Sequence, residues 1–189
     1  MRAKYVLPIV VLAAAVIAAF VVAGCGSDRV TRPNIPPTSK YPKLLNPYAV
    51  LDALRTAYQD RDTNEIKVLY HDQYDGSSID QTDPSPALVH FTKADEVAHV
   101  SALARASVTN ISIATAPNLT RFDDAADPVG WTTIANPLSS IQISDATSTR
   151  VVDVAHETME FKFIPTPVPS SATRDTTWKI IRWTEVRNP

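Results

Sequence analysis

Two pairs of neighbouring residues in this chain combine a histidine with a carboxylate. His71 precedes Asp72, and His156 precedes Glu157. A histidine that a buried acid orients serves as a general base, so each pair is a candidate for proton-transfer chemistry. Adjacent residues on a helix point about 100° apart, which favours a solvated helix end for His71 and Asp72. His156 and Glu157 are predicted on opposite faces of a strand, so that one of them faces the interior.

Several aromatic residues are candidates for lining an apolar ligand pocket. They are Tyr58, Trp131, Trp178 and Trp183. Small-molecule pockets are lined largely by such side chains, but large aromatic residues are more often part of a hydrophobic core. Both interpretations stay open at the level of sequence.

An acidic loop offers the hard oxygen ligands that Ca²⁺ prefers. Its aspartates are Asp123, Asp124 and Asp127. The loop lacks the glycine and the ligand spacing of a dedicated calcium loop. We therefore predict no metal site, and we interpret the loop as a solvated surface.

Composition argues against several classes of function. Of the four glycines, only Gly76 and Gly130 lie beyond residue 26. Phosphate-binding loops and dinucleotide fingerprints need clustered glycines, so no cofactor is predicted. The net charge is −2, no basic patch stands out, and nucleic acid is therefore not an expected partner.

The only cysteine, Cys25, follows a long apolar segment. Arg2 and Lys4 precede an uncharged run over residues 6–22. As a helix this run would rise roughly 25 Å, close to the thickness of the hydrocarbon core of a membrane. Positive residues before such a run stay on the cytoplasmic side. The small residues directly before Cys25 give a peptidase access to the backbone beside a nucleophilic thiol.

The four residues Val22-Ala23-Gly24-Cys25 resemble the lipobox of bacterial lipoproteins. The resemblance implies that residues 1–24 are a signal peptide, that cleavage falls before Cys25, and that Cys25 carries lipid. Alternatives are an uncleaved transmembrane anchor and an ordinary secretory signal. Gly26 stands where an aspartate would resemble a signal for inner-membrane retention. We therefore expect a chain anchored in the cell envelope, in the outer membrane facing the periplasm if there are two membranes.

The remaining chain divides into a tether and one domain. Residues 25–45 are predicted to form the lipidated cysteine and a proline-rich tether, and residues 46–189 a single domain. Capping residues and apolar spacing predict helices over 46–59, 62–70 and 92–105.

The second half of the domain alternates apolar and polar residues with a period of two. Residues 77–86 are predicted to be turn-rich, and a proline-rich hairpin connection begins at Pro165. In the last strand, Trp178 and Ile180 are predicted on one face and Trp183 on the other. Helices gathered before strands indicate an α+β fold, and the succession of strands indicates an antiparallel sheet. Strands are predicted over 110–113, 131–134, 140–143, 150–163 and 178–186.

The domain resembles the nuclear transport factor 2-like superfamily in three stretches. They are PYAVL opening the first helix at 47–51, YQDRD as a helix–break–helix junction at 58–62, and WKIIRW in the closing strand at 178–183. The resemblance implies a cone-shaped α+β fold whose curved sheet wraps the first helix. The superfamily contains ketosteroid isomerases, polyketide cyclase-like enzymes and catalytically silent members. The tyrosine and acid pair of the isomerases has no assignable counterpart in this sequence.

Two functions follow from these observations. The first is a membrane-anchored, non-enzymatic module that binds a small apolar ligand or an envelope protein. The alternative is an enzyme of the isomerase, dehydratase or hydrolase type that uses a buried acid in the cone. Whether the domain forms a homodimer through its open sheet face stays open.

Overall fold

The computed structural model describes residues 39–189, except 107, 146, 153 and 169–175. The predicted signal peptide, Cys25 and the tether up to residue 38 lie outside the described residues. Over the described ranges, no helix combines the length and the apolar character needed to cross a membrane.

The first helix, α1, spans Pro47–Asp60 and begins and ends as its local sequence predicts. The side-chain oxygen of Asn46 accepts a backbone N–H of the first turn at 2.9 Å, and so caps the helix. At the other end Arg61 adopts a left-handed conformation with φ of 57°. The N–H of Asp62 then donates to the carbonyl of Ala57 at 2.8 Å, which closes the helix end. The predicted helix–break–helix junction is therefore present.

Two further helices have acidic or hydroxyl N-caps. Helix α2 spans Thr63–Leu69, and the carboxylate of Asp62 accepts two backbone N–H groups of its first turn. Helix α3 spans Lys93–Arg105 and begins with a reciprocal capping box between Thr92 and Asp95.

The described strands form two sheets. The strands are β1 (Asp75–Asp80), β2 (Val89–Thr92), β3 (Val108–Thr115), β4 (Arg121–Phe122), β5 (Thr132–Ala135), β6 (Leu138–Asp145), β7 (Thr149–Val152), β8 (Glu157–Pro167) and β9 (Thr176–Arg187). The larger sheet has the order β2-β1-β9-β8-β5-β4, and the smaller one β3-β6-β7. The fold is therefore α+β, as predicted.

Strand β1 occupies the beginning of the stretch that the sequence predicts as turn-rich. It pairs antiparallel with β2 and parallel with β9, from Ser77 opposite Thr184 onward. The large sheet is therefore mixed rather than wholly antiparallel. Its sequence signal is weak because β1 is polar and short, and because its long-range partner β9 lies at the far end of the chain.

The strand predicted over 150–163 is two strands in different sheets. Strand β7 pairs with β6, whereas β8 pairs with β5 and β9. A short 3-10 helix over Val154–His156 separates them. Strand β8 also continues through Pro165, where the sequence predicts a connection. Pro165 and Pro167 still pair with β9, but β5 pairs with β8 only up to Phe163, so the other edge of β8 is unpaired beside these prolines. A proline whose nitrogen faces an unpaired edge costs no ladder hydrogen bond.

A register shift between β8 and β9 places the residues after Ile181 on the face opposite to the one that the sequence predicts. Phe163 pairs with Ile180 and Phe161 pairs with Trp183. Ile181 is therefore the extra residue of a β-bulge in β9. Because Phe161 and Phe163 are two residues apart on one face, Trp183 lies on the same face as Ile180. The ring centroids of Phe161 and Trp183 are accordingly 4.5 Å apart.

The residues just before α1 contact the domain. Leu44 is 8% exposed and belongs to the core, and its carbonyl accepts the N–H of Trp178 at 2.8 Å. The hydroxyl of Tyr41 donates to the carboxylate of Asp62 at 2.9 Å. Part of the stretch that the sequence predicts as tether therefore packs on the folded domain.

Candidate functional site

A cavity of about 310 Å³ lies between α1, α3 and the inner faces of both sheets. Its volume is at the lower end of the range for small-molecule pockets. Its lining divides into an apolar wall and a group of polar and charged side chains.

Four isoleucines on two neighbouring strands form much of the apolar wall. Ile111 pairs with Ile143 and Ile113 with Ile141 across β3 and β6, and all four line the cavity. Directly opposed residues share a face, and residues two apart repeat it. The alternation that predicts β3 from sequence therefore also sets this wall.

The carboxylate of Glu96 on α3 accepts hydrogen bonds from two tyrosine hydroxyls. One of its oxygens accepts a hydrogen bond from the hydroxyl of Tyr74 at 2.8 Å, and the other accepts one from Tyr58 at 3.1 Å. Burial raises the pKa of Glu96, and the two phenol hydrogen bonds oppose that rise because they favour the charged form. Burial and the nearby Glu96 also raise the pKa of both tyrosines, which keeps them protonated as donors.

Gly76 makes room for this cluster. A Cβ atom at this position would overlap the phenol oxygen of Tyr74. Tyr74 in turn packs edge-to-face against the fully buried Tyr70, with ring centroids 4.6 Å apart. The Tyr74 ring therefore has little freedom to move away, and glycine preserves its hydrogen bond to Glu96.

Glu185 and Glu157 bring two further carboxylates to the cavity, from β9 and β8. Burial, together with the smaller effect of the negative charges of Glu157 and Glu96, raises the pKa of Glu185 to about 7. Glu185 shares its strand face with Trp183, two residues earlier. The bulge at Ile181 therefore determines that both lie on the inner face.

His99 lies at the edge of the cavity on α3. Its side chain is exposed, but it lines the cavity, and its ring centroid is 6.1 Å from that of Tyr58. It also lowers the pKa of Glu96 through its charge, although less than the phenols do. His99 is therefore an exposed residue on the rim of the site.

The pair His71 and Asp72 lies outside the cavity lining. Nδ1 of His71 accepts the N–H of Gln73 at 3.1 Å. Asp72 is exposed and pairs with Nζ of Lys93 at 2.8 Å, which lowers the pKa of the carboxyl. These contacts fit the turn after α2.

His156 and Glu157 lie in different secondary-structure elements, and only Glu157 lines the cavity. His156 ends the 3-10 helix and is exposed, so the prediction of opposite strand faces is wrong for this pair. Glu157 is the first residue of β8 and lines the cavity. The period-two pattern through residue 156 is misleading because the chain passes from one sheet to the other there.

The aromatic candidates also divide into two groups. Tyr58 and Trp183 line the cavity. Trp131 and Trp178 do not line it. Each of these rings instead lies under an arginine guanidinium, whose central carbon is 5.6 Å from the ring centroid of Trp131 and 5.4 Å from that of Trp178.

The acidic loop packs against a cation from a neighbouring strand, Lys162 on β8. Nζ of Lys162 lies 3.1 Å from Asp124 and 2.8 Å from Asp127, and the Asp127 side chain is only 7% exposed. The part of the chain that the structure describes contains no group of three or more potential metal-ligating side chains. An ammonium group thus occupies the space between these two aspartates.

Sequence reasoning missed Glu96 and Glu185. Glu96, His99, Val100 and Leu103 follow the i, i+3, i+4, i+7 spacing of one helix face, and Val100 is fully buried. That spacing places Glu96 on the buried face of α3. The pattern is difficult to recognise because two of its four residues, Glu96 and His99, are polar. Glu185 has no such signal, since its face depends on the bulge.

No family model and no curated protein matches the chain. Similar solved structures include a nuclear transport factor 2-like protein with a cystatin-like fold from Novosphingobium aromaticivorans, at 11% identity and a TM-score of 0.46, covering 73% of this chain and 77% of that one. Another is a protein of unknown function from Mycobacterium tuberculosis, at 10% identity and a TM-score of 0.48, covering 75% of this chain and 69% of that one.

A third similar structure is a nuclear transport factor 2-like protein of unknown function in nutrient uptake from Rhodospirillum rubrum. It has 14% identity and a TM-score of 0.43, covering 76% of this chain and 99% of that one. Two of these three bear the name of the superfamily that the sequence resembles. At these identities the likeness concerns the fold alone.

Proposed function

We propose that this chain is a membrane-anchored binding module whose cavity takes a small, largely apolar ligand. The observation that carries the proposal is the cavity of about 310 Å³ with its wall of paired isoleucines. Pockets for small molecules combine such walls with a few placed polar groups. The size of the cavity favours a small molecule over an envelope protein as its occupant.

The side chains around the cavity support a binding surface rather than a closed core. Ile141, Ile143, Leu103 and Trp183 line it and are only partly buried. Close-packed interiors leave few voids larger than a water molecule, because apolar side chains interdigitate. A ligand that covers these side chains would remove apolar surface from water, which favours binding.

Replacing Ile141 with tryptophan tests the cavity. We expect the variant to bind the neutral fluorescent probe N-phenyl-1-naphthylamine about tenfold more weakly than the parent, because the indole occupies space that the probe needs. Binding is measured as the rise in probe fluorescence on titration.

Val151→Trp is the matched control, since Val151 is 61% exposed and pairs with Gln142, one residue along from Ile141. It places the same side chain on the opposite face of the same small sheet. Equal probe binding by both variants and the parent would argue against the cavity as the site.

The anchor part of the proposal rests on the lipobox resemblance around Cys25 and places the domain in the cell envelope, at the outer membrane if there are two. Replacing Cys25 with serine is expected to abolish acyl labelling and to release the chain from the membrane fraction, because acyl chains supply the attachment. Fractionation with metabolic palmitate labelling measures both. Unchanged membrane retention, with no acyl label in the parent, would instead support an uncleaved transmembrane anchor.

A second candidate function is the enzyme of the isomerase, dehydratase or hydrolase type. The observation that favours it is Glu185, whose pKa of about 7 suits a group that exchanges protons near neutrality. Recovery of a bound ligand unchanged after prolonged incubation supports the binding module, whereas its conversion supports the enzyme.

A further inference from the structure

We propose that the ligand of this cavity is a compact organic cation, such as a protonated amine, attached to an apolar body, with its charged end among Glu96, Glu157 and Glu185. This inference rests on the proposed function, because it names the ligand class of the same cavity. Its grounds are the shape of the cavity and the unequal distribution of charge around it.

The three carboxylates reach the cavity from three different elements. Glu96 comes from α3, Glu157 from the start of β8 and Glu185 from the end of β9. They are brought together only by the packing of the helix against the sheet. The negative charges of Glu157 and Glu96 both disfavour ionisation of Glu185. A cation placed among them relieves that repulsion.

Positive charge in the lining is scarce by comparison. Among the side chains that line the cavity, the basic groups are Arg55 and His99. Arg55 lies 3.4 Å from the carboxylate of Asp52, one of its neighbours on α1, so its charge is partly engaged outside the cavity. Asp95 adds a further carboxylate to the lining. The cavity is therefore complementary to positive rather than negative ligands.

The phenols give the carboxylate group a fixed position. Tyr58 and Tyr74 donate to different oxygens of Glu96, so the carboxylate is held from both sides. Charge-assisted hydrogen bonds of this kind are stronger than neutral ones. A pre-positioned carboxylate loses little conformational entropy when it meets a cation.

The isoleucine wall specifies the rest of the ligand. It lies on β3 and β6, whereas the carboxylates lie on α3, β8 and β9. A ligand that satisfies both surfaces has an apolar body and one charged end. This arrangement does not favour a bare metal ion, which needs several closely spaced oxygen ligands and gains nothing from an apolar wall.

Three probes of nearly equal shape test the charge preference. They are 1-naphthylmethylamine, which is cationic at neutral pH, 1-naphthylmethanol, which is neutral, and 1-naphthoate, which is anionic. The full chain is incorporated in nanodiscs of neutral phospholipid, and binding is measured by calorimetry against empty nanodiscs. We expect the amine to bind about tenfold more tightly than the alcohol, and the naphthoate to bind most weakly.

The double variant Glu157→Gln/Glu185→Gln keeps Glu96, so it is expected to lose most of the tenfold preference for the amine, while its affinity for the alcohol stays unchanged. Asp123→Asn, which removes an exposed carboxylate outside the cavity lining, is the matched control and should keep the tenfold preference. If the double variant fails to fold, the comparison of the three probes on the parent chain still decides the question.

The outcomes separate the two proposals. Equal binding of the amine and the alcohol by the parent overturns the cation preference and leaves the binding module in place. A tighter naphthoate overturns it as well. Failure of all three probes, together with failure of N-phenyl-1-naphthylamine, overturns the proposed function itself. A double variant that keeps the full tenfold preference for the amine shows that the cation does not lie beside Glu157 and Glu185 and overturns the assignment to this group of carboxylates.

Discussion

Replacing Glu185 with glutamine is expected to stabilise the domain by roughly 2 to 3 kcal/mol at pH 8 and to change its stability little at pH 4. The pKa of Glu185 is raised from 4.5 to about 7, first by burial and then by the charges of Glu157 and Glu96. Glutamine has nearly the shape of the protonated carboxyl group and carries no charge. It therefore removes a cost that the parent chain bears whenever Glu185 is ionised.

The direction of this pH dependence follows from proton binding in the two states. At pH 4 and below, Glu185 is mostly protonated in both the folded and the unfolded chain, and contributes little. Between about pH 4.5 and 7 the unfolded chain releases this proton while the folded chain keeps it, so the free energy of unfolding falls as the pH rises. Above pH 7 the destabilisation is complete.

Urea unfolding of the parent and the Glu185→Gln variant at pH 4, 6 and 8 measures the effect. The difference between the two chains should be near zero at pH 4 and should grow up to pH 8. Asp123→Asn is again the control, because this carboxylate is exposed and its removal should not change the slope. Parallel stability curves for the Glu185→Gln variant and the parent would refute the account of Glu185.

Replacing Lys162 with methionine is expected to destabilise the domain by about 3 to 5 kcal/mol, the usual cost of breaking a buried ion pair. Lys162 is 13% exposed and its ammonium contacts Asp124, Asp127 and Glu160. Burial lowers the pKa of Lys162, but hydrogen bonds to Asp127 and Asp124 outweigh burial and raise it overall. Methionine keeps much of the volume but leaves nearby carboxylates, one of them buried, without their cation.

Lys93→Met is the matched control for this substitution. Lys93 also pairs with an aspartate at 2.8 Å, but that partner, Asp72, is 87% exposed. Exposed ion pairs contribute about 0 to 1 kcal/mol because water and salt screen them. Chemical unfolding at pH 7 measures both variants, and similar losses for the two would contradict a buried role for Lys162. Adding Asp127→Asn to the Lys162→Met variant should recover part of the loss, since it removes the buried charge.

The two substitutions distinguish two uses of buried charge in this domain. The carboxylates around Lys162 are neutralised within the protein, so they serve stability. Glu185 faces a cavity together with other carboxylates and reduces stability above its pKa. A titratable group kept in a cleft at a cost to stability is a typical sign of a functional site. The stability measurement therefore bears on the binding proposal without needing the ligand.

The candidate site was only partly predictable from sequence. Tyr58, Glu157 and Trp183 are predicted candidates that line the cavity. His71, Asp72, His156, Trp131 and Trp178 are candidates that lie elsewhere. Residue type identifies groups capable of chemistry, but it does not report which of them converge.

The sequence alone determined where the three helices begin and which face of β3 is buried. Asn46, Asp62 and Thr92 cap the three helices at the predicted positions, because a cap depends on residues within one turn of each other. The alternation of Ile111 and Ile113 likewise predicts their strand and its buried face. The order of helices before strands predicts the α+β class.

Only the tertiary structure decided where the cavity lies and which charges face it. The parallel pairing of β1 with β9 joins segments about one hundred residues apart. The bulge at Ile181 turns Trp183 and Glu185 inward, although a regular strand would place them with Ile181 on the opposite face from Ile180. Register across a sheet is a property of two strands together, and a one-residue shift reverses every side chain beyond it. The sequence of a single strand therefore does not contain the information that forms this site.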